Sequence, residues 1–156
     1  VFVRSGEQWT HQVRLLAPDG ARNEIDKFGE GVSIYGDTMV VGAKLDDDNG
    51  YGSGSAHVFV RSEEQWTHQA KLLAPDGATD DYFGWSVAIY GDTIVSSAPV
   101  DDNNGGGTGS SYVFVRSGEE WIYRAKLLPP GGAADDYFRW WFGESVSIYE
   151  DTIVVG

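Results

Sequence analysis

The sequence contains no cysteine, so no disulfide can staple it, and cysteine usage carries no information about its redox compartment. No apolar run approaches the ~18 residues of a membrane-crossing helix, and no signal peptide is recognisable. Cations are scarce. Lys and Arg number 11 against 24 Asp and Glu, a formal net charge of -13. Phosphate backbones and anionic membrane surfaces are therefore repelled, and neither nucleic acid nor membrane insertion is expected. Runs with a helical period are also missing, whereas glycine, aromatic and β-branched residues abound, which points to an all-β protein. The excess acid has three readings: metal loops, an interface for cations, or solubility, the commonest reason for such a balance.

What the sequence does have is repetition. The stretch from Phe83 to Asn104, FGWSVAIYGDTIVSSAPVDDNN, has close copies from Phe28 to Asn49 and from Phe142 onward. Val87 and Ile89 alternate with Ala88 and Tyr90, and Thr93 to Val95 is β-branched. Gly91-Asp92 tolerates the positive φ of a tight turn, so two short strands and a hairpin are predicted. A lone hairpin is marginal in water and must stack on copies of itself to hide its apolar face. The copies extend further: VFVRS begins at Val1, Val58 and Val113, EQW or EEW follows, and then Leu15-Leu16, Leu72-Leu73 and Leu127-Leu128. The period, roughly 55 residues, lies in the range of propellers and solenoids. One array over 1–156 is expected, with repeats at approximately 1–57, 58–112 and 113–156. In the numbers of the middle copy, each repeat predicts four strands: a (86–90), b (93–98), c (57–61) and d (65–73).

Along the chain, Val1 to Ser5 predicts strand c and Gln8 to Leu16 strand d, with Trp9, His11 and Val13 on one face and Thr10, Gln12 and Arg14 on the other. Ala17-Pro18-Asp19-Gly20 ends that strand. Strands a and b follow around Gly36-Asp37, and an acidic, glycine-rich loop runs from Leu45 to Ser55. Its counterpart runs from Val100 to Ser111. The third copy departs in two places: Pro129-Pro130-Gly131-Gly132 stiffens the corner, and Arg139-Trp140-Trp141-Phe142 inserts an aromatic block before strand a. Trp140 and Trp141 form a candidate stacking platform for a sugar or a partner, although packing over the neighbouring repeat is the simpler account.

Together Phe-Gly, Ser-Val-Ala-Ile-Tyr-Gly-Asp-Thr-Ile-Val, Ala-Pro followed by acidic residues, and Gly-Ser-Ala-His-Val-Phe-Val-Arg resemble FG-GAP repeats. These are the modules of the integrin α-chain head and of many secreted or surface proteins; the branch with a short Gly-Asp-Thr hairpin is the most similar. The resemblance implies tandem four-stranded antiparallel meanders, the blades of a β-propeller, with strand a innermost and d outermost. It also implies adhesion or scaffolding in an extracellular or cell-surface setting. Integrin-type repeats hold calcium between strands a and b. Here that connection is only Tyr35-Gly36-Asp37, Tyr90-Gly91-Asp92 or Tyr149-Glu150-Asp151, so that site does not carry over. The acidic loop instead joins b to c, where Asp46 and Asp48, with Asp101 and Asn103 in the next copy, follow the alternating oxygens of calcium loops without the distal bidentate carboxylate. Calcium is the candidate ion there, no cofactor is required, and a solvated turn is the simpler account.

In that frame the chain starts with c and d, holds two complete blades and ends with a and b. Fewer than three full blades cannot close a ring of ~4 to 8. Either the chain is part of a longer propeller, or the last two strands of one copy complete a blade with the first two of the next, giving a head-to-tail fibre.

Other constellations have plainer explanations. Asp80-Asp81 and Asp135-Asp136 suggest a carboxylate pair for glycoside cleavage, but adjacent loop residues point apart and recur as a turn feature. His11 and His68 share a position with Tyr123, which requires a packed ring more than a metal ligand. Trp9, Trp66 and Trp121, like Phe28, Phe83 and Phe142, recur once per copy and suit packing between repeats. No nucleophile with a base, phosphate loop or zinc pattern is present. The sequence thus reads as a non-enzymatic extracellular structural or adhesive module. Its expected partners are copies of itself, flanking repeats, extracellular proteins or glycans. The alternative is a carbohydrate-binding or lyase-type propeller using Trp140, Trp141 and nearby carboxylates.

Overall fold

A computed structural model describes residues 1–18, 26–102, 108–130 and 142–156. Among the described residues all regular structure is strand: β1 (Phe2–Ser5), β2 (Gln8–His11), β3 (Phe28–Tyr35), β4 (Thr38–Ala43), β5 (Ser55–Ser62), β6 (Gln65–Leu72), β7 (Val87–Tyr90), β8 (Thr93–Ala98), β9 (Ser110–Ser117), β10 (Glu120–Leu127), β11 (Val146–Tyr149) and β12 (Thr152–Val155). They form a β1-β2 pair, two four-stranded meanders, β3 to β6 and β7 to β10, and a β11-β12 pair. Every neighbouring pair is antiparallel. The order is that of an open, propeller-type array: a c–d pair, two whole sheets and an a–b pair.

Turn chemistry sets the hairpins. Gly36 and Gly91 turn strand a into strand b with φ of 56°, and in the third copy Glu150 adopts the same left-handed conformation at 51°. Thr93 then pairs with Tyr90 and Ile94 with Ile89, as Thr38 and Met39 pair with Tyr35 and Ile34.

Two strand expectations need correction. Strand d of the first copy ends at His11, not Leu16, because its partner β1 offers no ladder beyond Val1: Gln12 N donates to Val1 O at 3.0 Å, and the Val1 amine to Val13 O at 2.7 Å. Strict alternation along strand d also fails. The β5–β6 register slips after His68, leaving Gln69 as an extra residue, and the β9–β10 register slips equivalently at Arg124. A bulge of this kind reverses which face each later residue occupies. Trp66 therefore packs with Met39, Val41 and Phe59 on one side of its sheet. Ala70 and Leu72 pack with Val40 and Val58 on the other.

Candidate functional site

Among the described residues the larger of two buried apolar clusters lies in the seam between the two complete sheets. From β3–β6 come Val40, Ala56, Val58 and Leu72; from the second sheet come Val87, Ile89, Ile94, Tyr112 and Phe114, with Phe83 from the segment leading into it. Phe83 sits edge-on to Tyr112 and Phe114, with ring centroids 5.5 and 6.0 Å away. At the outer rim, Trp121 Nε1 donates to Gln69 Oε1 across the seam at 3.0 Å, as Trp66 Nε1 donates to Gln12 Oε1 at 3.2 Å. The bulge turns Gln69 toward that tryptophan.

Backbone closes the inner rim. The segment leading into the second sheet lies along the acidic loop of the first: Asp80 N donates to Tyr51 O (2.8 Å), Tyr82 N to Gly52 O (3.0 Å) and Phe83 N to Ser53 O (2.9 Å). Gly84, at φ +87°, passes so close to β4 and β5 that a Cβ on it would overlap the Ser55 carbonyl oxygen. One on Gly42 would overlap Gly84 O, and one on Gly54 would overlap Phe83 O. The arrangement recurs one sheet on, where a Cβ on Gly109 would overlap Phe142 O. Only residues without a side chain allow this approach.

The carboxylates singled out for calcium surround an ammonium group. Lys71 Nζ, reaching up from β6, lies 2.8 Å from Asp46 Oδ2 and 2.7 Å from Asp48 Oδ2. Asp46 is buried, accepts from Ser55 Oγ at 3.0 Å, and its other oxygen accepts from Asp48 N at 3.1 Å. In the second sheet Lys126 Nζ lies 2.6 Å from Asp101 Oδ2 and 2.7 Å from Asp76 Oδ2 on the far side of the seam. Tyr112 OH also donates to Asp101, at 2.7 Å. Burial disfavours the Lys126 ammonium, but hydrogen bonds to Asp101 and Asp76 outweigh it and hold its pKa above the usual lysine value. Burial raises the Tyr112 phenol as well, reinforced by both carboxylates. Calcium takes six to eight oxygens at about 2.3–2.6 Å. Asp46, Asp48 and Asp101 are each ion-paired with a lysine, and among the described residues no group of three acidic, histidine or cysteine side chains converges. Asn103, Trp140 and Trp141 lie outside the described residues.

Sequence reasoning missed these lysines, although a basic residue before each Leu-Leu (Arg14, Lys71, Lys126) was the available signal. It also missed the clasp at the opposite rim. Arg61 N donates to Asp37 O at 2.8 Å, and its guanidinium reaches Asp37 Oδ1 at 2.6 Å; Arg116 N repeats the bond to Asp92 O at 2.8 Å.

The Asp80-Asp81 pair does point apart. Asp80 is exposed and accepts from Tyr82 OH, whereas Asp81 is buried and accepts from Ala78 N at 2.6 Å. Burial pushes Asp81 up to about 6, and the charges of Asp101 and Asp102 add to the effect. His68 packs against Phe59 with centroids 5.3 Å apart, as Tyr123 packs against Phe114 at 6.0 Å, while His57 Nδ1 lies 3.2 Å from His68 Nε2.

At both ends of the array the same positions lie open. Val87 and Ile89 are 6 and 5% exposed in the closed seam, but their counterparts Val32 and Ile34 are 62 and 57% exposed. Val40 is fully buried and its counterpart Val154 is 62% exposed; Phe59 is at 4% and Phe2 at 64%. Trp9, the counterpart of Trp66 and Trp121, is also exposed. Val1, Phe2, Leu15, Phe28, Met39 and Val41, together with Val32 and Ile34, bound an apolar groove of about 460 Å³ at the first of these ends.

No curated protein matches the chain. The FG-GAP repeat family model matches at residues 9–59, 66–114 and 121–156, each match running from a strand-d tryptophan toward the next strand c. With this motif serially repeated over most of its length and folded into successive antiparallel meanders, the chain belongs to the FG-GAP repeat family.

Proposed function

We propose that this protein is a non-enzymatic structural and adhesive repeat module that works outside the cytoplasm and associates through its unfinished sheets with sheets of its own kind. The observation that carries the reading is the contrast between equivalent positions: side chains that are dry between the complete sheets face water at both ends. Exposed apolar faces and unpaired strand edges favour association. The family supports the setting, since FG-GAP repeats are typical of extracellular or surface proteins and are generally non-catalytic. The carboxylates at the seams support a scaffold too, because Asp46, Asp48 and Asp101 are held by lysines instead of facing a cleft.

Light scattering and electron microscopy of the purified chain over a range of concentrations test this reading. Concentration-dependent oligomers or filaments are expected, and Val32→Glu should suppress them. Discrete monomers at the highest concentration would overturn it.

A further inference from the structure

The open groove and the open hairpin are two halves of a contact that the chain already makes twice. The edge of β1 carries Val1-Phe2-Val3-Arg4-Ser5, identical to Val58–Ser62 and Val113–Ser117. Inside the chain each of those later copies pairs with a strand b in one register: Thr38 with Val60, Met39 with Phe59 and Val40 with Val58; then Thr93 with Val115, Ile94 with Phe114 and Val95 with Val113. In each, the aspartate before the threonine clasps the arginine of VFVRS. Beside β1 no strand b lies among the described residues, and beside β12 no strand c. Yet β12 reads Thr152-Ile153-Val154-Val155 behind Asp151, nearly the sequence of β4. The groove next to β1 presents Phe28, Val32, Ile34 and Met39, the counterparts of Phe83, Val87, Ile89 and Ile94 that receive Val40 in the closed seam.

Resting on the association reading, we propose that the occupant of this groove is the β11–β12 hairpin of a second copy of this chain. Its Thr152, Ile153 and Val154 pair antiparallel with Val3, Phe2 and Val1, and its Asp151 is clasped by Arg4. The Val154 side chain of the second copy enters the groove as Val40 enters the closed seam. The pairing adds the hydrogen bonds of a free strand edge to apolar burial, the combination that gives strand-addition contacts their affinity. Charge complementarity fixes the direction, because Arg4 and Asp151 lie at opposite ends of one chain and the contact repeats head to tail. Arg4 Nε now donates to Gly6 O at 2.9 Å and re-aims on pairing. One rim contact changes: where Gln12 and Gln69 accept from a tryptophan, the neighbouring copy brings Arg124 toward Trp9, so a guanidinium–ring contact replaces that hydrogen bond.

The absence of native cysteine allows a clean test on the full chain. Val3→Cys with Thr152→Cys, oxidised under association conditions, is expected to give a ladder of covalent oligomers on a non-reducing gel, while Val3→Cys with Ser147→Cys gives none. In parallel, Arg4→Asp and Asp151→Arg should each weaken association by about tenfold, and the two together should restore it. Circular dichroism establishes that each variant folds. Oligomers that form without the ladder and without the charge-swap rescue would overturn this register while leaving association itself standing. A cross-linked monomer would overturn it in favour of closure within one chain. Failure of the unmodified chain to associate would sink both readings.

Discussion

Equivalent positions make two seams in this molecule, with opposite results. Between the complete sheets Phe83, Val87 and Ile89 are dry; beside β1–β2 their counterparts Phe28, Val32 and Ile34 border an open groove. The residues at these three positions do not separate the seams, since Phe28, Val32 and Ile34 are identical in kind to Phe83, Val87 and Ile89. Burial is therefore a property of a pair of neighbours and not of the repeat, and stability should sum over seams as it does in other repeat arrays.

Mutating the two seams in parallel sharpens or breaks that contrast. Phe83→Ala should show the largest effect, a loss of about 3–5 kcal/mol in urea denaturation, the range for a buried phenylalanine. Phe28→Ala should lose roughly half as much or less. Equal losses would erase the distinction between the seams. Lys126→Met comes next. It strips two carboxylates of their cation, one of them buried, while Tyr112 OH still reaches both, and should cost about 2–3 kcal/mol, less than a fully buried pair because the lysine is partly exposed. Arg61→Met breaks an exposed clasp within one sheet and should cost roughly 0–1 kcal/mol.

Glycine offers a controlled pair. Gly84 and Gly29 both have positive φ, 87° and 97°, but only Gly84 faces a carbonyl where a Cβ would go. The strain of φ alone costs about 1–3 kcal/mol, so both alanine variants should lose stability, and Gly84→Ala should lose more in the same denaturation assay. If the two losses match, close approach of backbone is not what shapes the closed seam.

The remaining contrast is a pH dependence. Asp81 titrates at about 6 in the folded chain against an ordinary 3.8. The folded state thus holds a proton that the unfolded state releases, and stability falls as pH rises through this window. Asp81→Asn removes a penalty that exists only when Asp81 is charged. Its Tm should gain on the unmodified protein at pH 8 and lose that advantage at pH 4. A gain independent of pH would show that the buried charge of Asp81 is not the cause.

Strand order, the two whole sheets and the two half-sheets were legible in the sequence because turn residues and β-branched runs recur in phase. The bulge at Gln69 and Arg124 was not. Nothing local marks the extra residue, which exists only relative to the partner strand, and it determines that Ala70 and Trp66 face opposite sides. The role of Asp46 and Asp101 was hidden for a related reason. Their lysines lie some 25 residues further along and arrive only because two strands fold back, so no local pattern announces these ion pairs. The Phe-Gly motif was recognised as a recurring signature, but its physical demand, a main chain pressed against Gly42, Gly54 and Ser55, shows only when two repeats are seen together.

That pressing of main chain on main chain carries an evolutionary consequence. A junction whose backbone contacts need glycine at Gly42, Gly54 and Gly84 can recur wherever those glycines recur, so a duplicated unit carries the means of docking with it. Gain or loss of whole units by unequal recombination then keeps both sides of each backbone junction.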